Sequence, residues 1–184
     1  MKVTIGVSNR HVHLTKDDYK ILFGDLEFTV YKKINQPGQF ASNRVVTLVN
    51  NDKVIENVRV VGPFRDYTQV EISKSDAKLL NLNPPVRSSG DLKESSPITI
   101  KGPNGIINLK EGCIIADRHI HITNEEVIKY ELQNVKKVSV LVNNNLIDNV
   151  YFKIAPNSYF EMHIDKDDSN TYSIKTGDIG TIIK

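Results

Sequence analysis

The sequence predicts a mainly β protein that consists of two related small β-barrels with short capping helices. One observation is a repeat: SNRHVHLT at residues 8–15 returns as ADRHIHIT at residues 116–123, and NDKVIENV at residues 51–58 returns as NNNLIDNV at residues 143–150. The other is a texture of short β-branched runs bounded by Asn, Asp, Gly and Pro, which is typical of strands in barrels and sandwiches. Together they indicate an internal duplication.

The register of the duplication sets the expected domain boundaries. The second repeated block continues without a gap to YTQVEI and YFEMHI, at a spacing of 92 residues, whereas the first block recurs at a spacing of 108. The second copy has therefore lost 16 residues between its two blocks. We expect a first barrel repeat at residues 1–90 and a second at residues 91–184, with the Pro-, Ser- and Gly-rich stretch at residues 83–105 as the linker.

Individual elements follow from local signals. The β-branched runs predict strands at residues 3–7, 45–49, 58–61 and 138–142. Asn-rich hairpin tips are expected at residues 50–53 and 143–145, because Asn tolerates the left-handed conformation of such turns. Thr15 and Thr123 precede acidic residues and predict the N-caps of two short helices. A third helix is expected at residues 75–80.

Composition limits the classes of function. The 184 residues carry a formal net charge of +2, and the Lys and Arg residues are scattered, which argues against a nucleic-acid partner. No apolar run approaches the length of a membrane span, so no membrane partner is expected. Cys113 is the single cysteine, which excludes an internal disulfide and suits a reducing compartment such as the cytoplasm. We interpret Cys113 as a small buried residue rather than a nucleophile.

All five histidines fall inside the repeated blocks. Two histidines at positions i and i+2 of a strand point to the same face, where they can converge on one cation. The two sets that the repeat aligns are His11, His13 and Glu71, and His119, His121 and His163. A lone His-x-His is more often a hydrogen-bonded pair, but two copies in register favour one or two zinc ions. Iron and manganese remain open.

Arg65 follows a Gly-Pro-Phe turn and precedes Glu71 by six residues. Both side chains would lie on one face if the strand ran unbroken between them. A guanidinium beside a metal receives phosphate well, because its fork matches two oxygens. A surface salt bridge with Asp66 explains Arg65 equally well at this point.

Five motifs occur in an order that resembles the PduL-type phosphate acyltransferases. They are SNRHVHLT, GPFRDYTQVEIS, RSSGDLKESSPITIKGPNG, GCIIADRHIHIT and EMHIDKDD, and the resemblance runs from about residue 3 to residue 180. It implies a phosphotransacylase of the phosphate propanoyltransferase type, which interconverts a short-chain acyl-CoA plus phosphate with an acyl phosphate plus CoA. It also implies two barrels with some strands exchanged between the halves of the chain, and a two-zinc site between them.

The resemblance assigns roles to individual residues. The metal ligands of the family fall on His11, His13, Glu71, His119, His121 and His163, and its phosphate-binding, catalytic arginine falls on Arg65. Its CoA contacts fall on Val7, Ser8, Asn9, Arg59 and Asn170, together with a lysine that is either Lys33 or Lys53. A homodimer is compatible with the sequence, which does not define the oligomeric state.

Two further expectations concern location and chemistry. Members of the family that are housed in microcompartments often carry an amphipathic N-terminal extension; this sequence begins on its first expected strand, so a cytosolic enzyme is expected. The acyl preference, acetyl or propanoyl, is open. No Ser-His or Cys-His pairing is evident, which favours direct transfer over an acyl-enzyme. The alternative is a zinc-dependent hydrolase of thioesters or phosphorylated small molecules, because clustered zinc also activates water.

Overall fold

The computed structural model describes residues 1–184, and strands dominate it. The strands are β1 (Lys2–Ser8), β2 (His11–His13), β3 (Val30–Lys33), β4 (Phe40–Asn50), β5 (Lys53–Gly62), β6 (Gln69–Glu71), β7 (Val86–Arg87), β8 (Ser96–Lys101), β9 (Ile106–Ala116), β10 (His119–Ile122), β11 (Lys137–Val142), β12 (Asn145–Ile154), β13 (Glu161–Asp165) and β14 (Ile179–Ile183). The four predicted β-branched runs lie in β1, β4, β5 and β11, which confirms the mainly β prediction.

Four short helices interrupt the strands. They are α1 (Lys16–Phe23), α2 (Lys74–Leu79), α3 (Asn124–Lys129) and α4 (Lys166–Tyr172). The predicted caps are confirmed: the side chains of Thr15 and Thr123 accept hydrogen bonds from the backbone N–H groups of Asp18 and Glu126. The sequence did not predict α4, which Asp165 caps. None of the helices is long and apolar enough to cross a membrane.

The two predicted hairpin tips are also confirmed. Asn51 connects β4 to β5 with a φ of 52°, and Asn143 and Asn144 connect β11 to β12 with φ of 47° and 63°. These left-handed conformations are strained for most side chains but accessible to Asn.

The chain folds into two compact units, which we call the continuous unit (Arg10–Ala116) and the split unit (Met1–Asn9 with Asp117–Lys184). In the continuous unit, six strands form a closed ring in the order β4-β5-β2-β6-β9-β8, and β8 pairs again with β4. Strand β3 extends this ring through β4, and β7 pairs with β9. Because β7 and β8 belong to this ring and its edge, the stretch expected to be a linker is instead part of the continuous unit.

The split unit is a closed six-stranded barrel in the order β1-β13-β10-β12-β11-β14. Its pairings repeat those of the continuous unit: β10 is parallel to β12 and antiparallel to β13, as β2 is parallel to β5 and antiparallel to β6. In the same way β1 is parallel to β13, and β9 is parallel to β6. The prediction of two related barrels is confirmed.

The boundaries of the units differ from the expected division at residue 90. The strand that precedes each His-x-His segment pairs with the opposite copy: β1 belongs to the split unit and β9 to the continuous unit. The chain therefore passes from one unit to the other at Asn9–Arg10 and at Ala116–Asp117, immediately before each pair of histidines. Backbone pairing, rather than order along the chain, decides the boundary.

Each barrel has its own hydrophobic core. The core of the continuous unit includes Val12, Leu22, Leu48, Val60 and Ile100, all fully buried or nearly so. The core of the split unit is built by inward residues of all six strands, such as Ile5, Ile120, Val140, Ile147, Met162 and Ile182. In β11 the buried residues alternate with more exposed ones, as a strand with one face on a core requires.

Candidate metal centres and anion-binding residues

In the continuous unit, β2 and β6 bring the first predicted set of ligands together. His11 lies opposite Glu71 in the antiparallel register, and His13 lies two residues further along the same face. The Nε2 atoms of His11 and His13 are 3.1 Å apart. Glu71 Oε2 lies 3.5 Å from His11 Nε2, and Glu71 Oε1 lies 3.9 Å from His13 Nε2.

These separations fit one small cation. Donors in a tetrahedral zinc site with bonds of about 2.0–2.1 Å are about 3.3 Å apart. The three donor atoms therefore need to move by only a few tenths of an ångström to hold an ion. Two imidazoles with one carboxylate also match the ligand chemistry that zinc prefers in proteins.

The surroundings of His13 favour the neutral form of its imidazole, which is the form that binds a metal. Its Nδ1 lies 3.2 Å from the carbonyl oxygen of Val61, which can only accept, so Nδ1 carries the proton and Nε2 presents its lone pair to the set. Burial lowers the pKa of His13 well below its usual value, and His11 lowers it further, whereas Glu71 acts in the opposite direction. The imidazole is therefore neutral at physiological pH, as a metal ligand must be.

Gln69 fixes the orientation of Glu71. It is fully buried on β6, and its Nε2 donates to Glu71 Oε1 at 2.5 Å and to Ser89 Oγ at 2.9 Å. Its own Oε1 accepts from the backbone N–H of Gly90 at 2.7 Å. The carboxylate is thus supported from the SSGD segment at residues 88–91, between β7 and β8.

Arg65 joins the same network. The segment between β5 and β6 carries it, so the strand does not run unbroken from Arg65 to Glu71. Its Nη1 donates to Ser89 Oγ at 3.1 Å and to the Tyr67 hydroxyl at 3.3 Å, rather than pairing with Asp66. Arg65 also lowers the pKa of His13 through its charge, which places the guanidinium within electrostatic reach of the ligand set.

In the split unit, β10 and β13 assemble the second predicted set. His119 lies opposite His163, and the Nε2 atoms of His119 and His121 are 3.2 Å apart. The ring centre of His163 lies 5.4 Å from that of His119 and 4.6 Å from that of His121. In each of the two sets, the three donor atoms lie within 4.8 Å of one another.

Two local features position these rings. His119 Nδ1 donates to the carbonyl oxygen of Asp117 at 2.8 Å, which leaves Nε2 as the ligating atom. Gly6 of β1 lies beside His163 in the parallel register. A Cβ atom on Gly6 would lie 2.9 Å from His163 Cδ2, closer than real contacts allow, so only glycine leaves room for this imidazole.

Each His-x-His segment also begins with an arginine that the sequence reasoning missed. Arg10 pairs with Asp76 at the start of α2. Arg118 pairs through Nε and Nη2 with both oxygens of Asp168 in α4, at 2.7 and 2.6 Å. The signal was present, because the ungapped register that aligns Glu71 with His163 also aligns the two aspartates. Both pairs tie a ligand strand to the helix that follows the third ligand.

The predicted CoA-binding residues are divided between the units. Arg59 lies in β5 opposite His11, and its guanidinium stacks over the ring of Tyr31 at 4.6 Å. Val7 and Ser8 follow Gly6 on β1, Asn9 comes next, and Asn170 lies in α4. Lys53 is paired with Asp52 at a hairpin tip, at 2.8 Å. Lys33 lies on the exposed strand β3, two residues from Tyr31.

The comparisons with known proteins cover nearly the whole chain. A family model described as phosphate propanoyltransferase matches residues 4–175. The chain is 43% identical to the phosphate propanoyltransferase of Thermotoga maritima, over 99% of this chain and 89% of that relative. It is 44% identical to the phosphate propanoyltransferase of Priestia megaterium, over 98% of this chain and 85% of that relative. Its identity to the phosphate propanoyltransferase of Lachnoclostridium phytofermentans is 42%, over 98% of this chain and 87% of that relative.

Proposed function

The chain belongs to the phosphate propanoyltransferase family, and on that premise we propose that it moves a short acyl group between CoA and phosphate at a zinc-dependent site. The resemblance that its motifs predicted is thereby confirmed at the level of the family, which is one of acyltransferases. One observation supports the zinc-dependent form of the proposal. Six side chains, predicted from the repeat, gather into two sets whose donor atoms converge.

Zinc held by these residues would stabilise a CoA thiolate and withdraw charge from a carbonyl or phosphoryl oxygen. The part of Arg65 is to bind and orient phosphate. Its two hydrogen bonds within the protein both use Nη1, so Nη2 and Nε can donate to two phosphate oxygens. Ser89 connects this guanidinium to Gln69, and Gln69 to Glu71, so the anion-binding group and the ligand set are held by one network.

The proposed reaction is direct transfer. In the direction of acyl phosphate, a phosphate oxygen attacks the thioester carbonyl, a C–O bond forms, the C–S bond breaks, and CoA leaves as the thiolate and takes up a proton. A cysteine acyl-enzyme has no support, because Cys113 is fully buried and burial raises the pKa of its thiol to about 12. The transfer therefore needs no covalent intermediate on the protein.

For CoA, we propose contacts with Arg59 in the continuous unit and with Val7, Ser8, Asn9 and Asn170 in the split unit. Arg59 combines a charge with the stacked ring of Tyr31, a surface that suits phosphate and an aromatic base. Of the two lysines left open, we propose Lys33, which shares a strand with Tyr31, because Lys53 is paired with Asp52. The two-zinc site between the barrels, a cytoplasmic location and a homodimer stay predictions.

The test is a free-thiol assay with acetyl-CoA and propanoyl-CoA, with and without inorganic phosphate, on zinc-loaded and chelator-treated protein. We expect thiol release that requires both phosphate and metal, with acyl phosphate as the product. Equal thiol release in phosphate-free buffer, with free acid as the product, would establish the hydrolase instead. The ratio of kcat/KM for the two thioesters gives the acyl preference.

A further inference from the structure

The ligand set of the split unit lies within a group of four side-chain positions on one face of the barrel wall, formed by two cross-strand pairs. Strands β10 and β13 are antiparallel, with His119 opposite His163 and His121 opposite Glu161. Residues two apart on a strand share a face, and cross-strand partners have Cβ atoms about 4.5–5.5 Å apart. Three of these four positions are the predicted histidines, and Glu161 is the fourth.

The carboxylate of Glu161 is buried beside His163. The residue is only 2% exposed, and its Oε2 lies 2.8 Å from His163 Nε2. A buried carboxylate is generally paired or bound to a metal, because leaving water costs an ion several kcal/mol. Two donors of one tetrahedral zinc ion lie about 3.3 Å apart, so the 2.8 Å between Glu161 Oε2 and His163 Nε2 would widen by about half an ångström around an ion.

Gly6 leaves room for both side chains. A Cβ atom at this position would meet His163 Cδ2 at 2.9 Å and Glu161 Cδ at 3.0 Å. The absence of a side chain on β1 therefore lets the imidazole and the carboxylate occupy the same space.

The continuous unit has the equivalent group of four positions, but its carboxylate lies opposite the first histidine of the pair rather than the second. There His11 lies opposite Glu71 and His13 lies opposite Gln69. The third ligand and the fourth position are Glu71 and Gln69 in one unit, and His163 and Glu161 in the other. Each face thus carries one carboxylate, which leaves a divalent ion at either face with the same formal charge.

We infer that Glu161 is the acidic member of the split unit's metal centre and holds its carboxylate at the ion together with His163. This inference rests on the zinc binding that we propose for the enzyme. A ligand role and a purely structural role differ in what happens to zinc. Replacing the carboxylate by an amide of the same size should weaken zinc binding if Glu161 is a ligand, and should leave zinc affinity unchanged if Glu161 only orients His163 through their 2.8 Å contact.

The experiment measures zinc affinity and metal-free stability together. Metal-free wild type, Glu161→Gln and the exposed-site control Glu131→Gln are titrated with zinc against a chromophoric chelator, and their Tm values are recorded with and without zinc. For Glu161→Gln we expect one of two zinc equivalents to bind about 10–100-fold more weakly, with the other unchanged. We also expect its zinc-induced rise in Tm to be smaller than that of wild type, measured from its own metal-free Tm.

A second variant, Glu161→Asp, keeps the charge but withdraws it by one methylene, and should weaken the same equivalent. Wild-type affinity for both equivalents in either variant would overturn the inference, as would a fall in metal-free Tm of Glu161→Gln with zinc affinity unchanged. Wild type that binds no zinc would refute the zinc-dependent site itself, which is a separate result from any change in the Glu161 variants. Glu131→Gln should match wild type throughout.

Discussion

The two barrels share the strand arrangement around their paired histidines and differ in the arginines near it. Both place a His-x-His strand between a parallel and an antiparallel neighbour, and both fix that strand by an arginine–aspartate pair. The arginines expected to bind substrate have no counterpart in the second copy. In the register of the repeat, Asn157 stands where the continuous unit has Arg65, and Tyr151 stands where it has Arg59.

This difference separates two kinds of constraint on a duplicated site. The features that both copies retain are those that we expect to hold a cation: paired imidazoles, one carboxylate and a tethered strand. The features found in one copy are those that we expect to bind an anion. We therefore expect substitutions in the shared features to weaken zinc binding in either unit. Substitutions at Arg59 or Arg65 should impair the use of substrate without changing zinc binding.

The largest effect is expected from removing a ligand in each unit. His13→Ala and His121→Ala should each lose one zinc equivalent and at least about a thousandfold in kcat/KM, because a metal supplies several kcal/mol of transition-state stabilisation. Elemental analysis and the thiol assay measure the two losses. Normal turnover in His121→Ala, with one zinc lost, would show that the split unit's ion is structural. The two metal sites would then have different functions.

Substitutions of Arg65 test the feature that is present in the continuous unit and absent from the split unit. Arg65→Lys should keep both zinc equivalents and lose about 100- to 1,000-fold in turnover, because a single ammonium cannot replace the bidentate fork. Its matched control is Asn157→Ala, at the equivalent position of the split unit, which should behave as wild type. Steady-state kinetics with varied phosphate gives the split between kcat and KM. Near-normal kinetics in a zinc-loaded Arg65→Lys protein would remove Arg65 from the site.

The two arginine–aspartate pairs should differ in strength. Arg118 is bidentate to Asp168 and also donates to the carbonyl oxygen of Asp148, and its side chain is 28% exposed. We expect Arg118→Ala to lower the free energy of unfolding by about 1.5–3 kcal/mol. Arg10 is 41% exposed, so Arg10→Ala should cost only about 0–1 kcal/mol. Urea unfolding of both variants measures the order, and a reversed order would contradict the geometry.

No effect on activity and only a small effect on stability are expected at Cys113. It lies beside Val70 on β9, as Ile5 lies beside Met162 on β1, so it occupies a core position that is apolar in the other barrel. Because burial raises the pKa of its thiol to about 12, native protein should not react with a thiol reagent at pH 8, whereas unfolded protein should react once per chain. Cys113→Ala should retain activity and lose on the order of 1 kcal/mol of stability. Rapid labelling of native protein would contradict this.

Much of this architecture could be predicted from the sequence because the signals for it are either repeated in the two copies or local to a few residues. The spacing of two residues between paired histidines, together with the alignment of His163 on Glu71, identified both sets before any fold was known. The caps at Thr15 and Thr123 and the Asn turns follow from side-chain chemistry within a few residues. Helix α4 escaped detection because Ser, Asn, Thr and Tyr are weak helix formers, although Asp165 caps it.

What the sequence did not reveal depends on contacts between distant residues. The run at residues 3–7 predicts the strand β1 but carries no local signal for the partners it pairs with, and β9 was not among the predicted strands, so the boundary at residue 90 could not be corrected from them. The link from Arg65 through Ser89 and Gln69 to Glu71 joins three segments, and no spacing encodes it. Glu161 was overlooked because its counterpart is Gln69, and an alignment of the copies highlights only positions that agree in chemistry.

The placement of β1 has a consequence for how the protein is made. This strand leaves the ribosome well before its neighbours β13 and β14, which lie more than 150 residues further along the chain. The continuous unit can close its ring once Ala116 has left the exit tunnel, whereas the other barrel must wait until β13 and β14 have emerged, several seconds later at about 5–20 residues per second. Throughout that interval the nascent chain carries an unpaired, β-branched edge, so chaperone demand during synthesis should concentrate on residues 1–9.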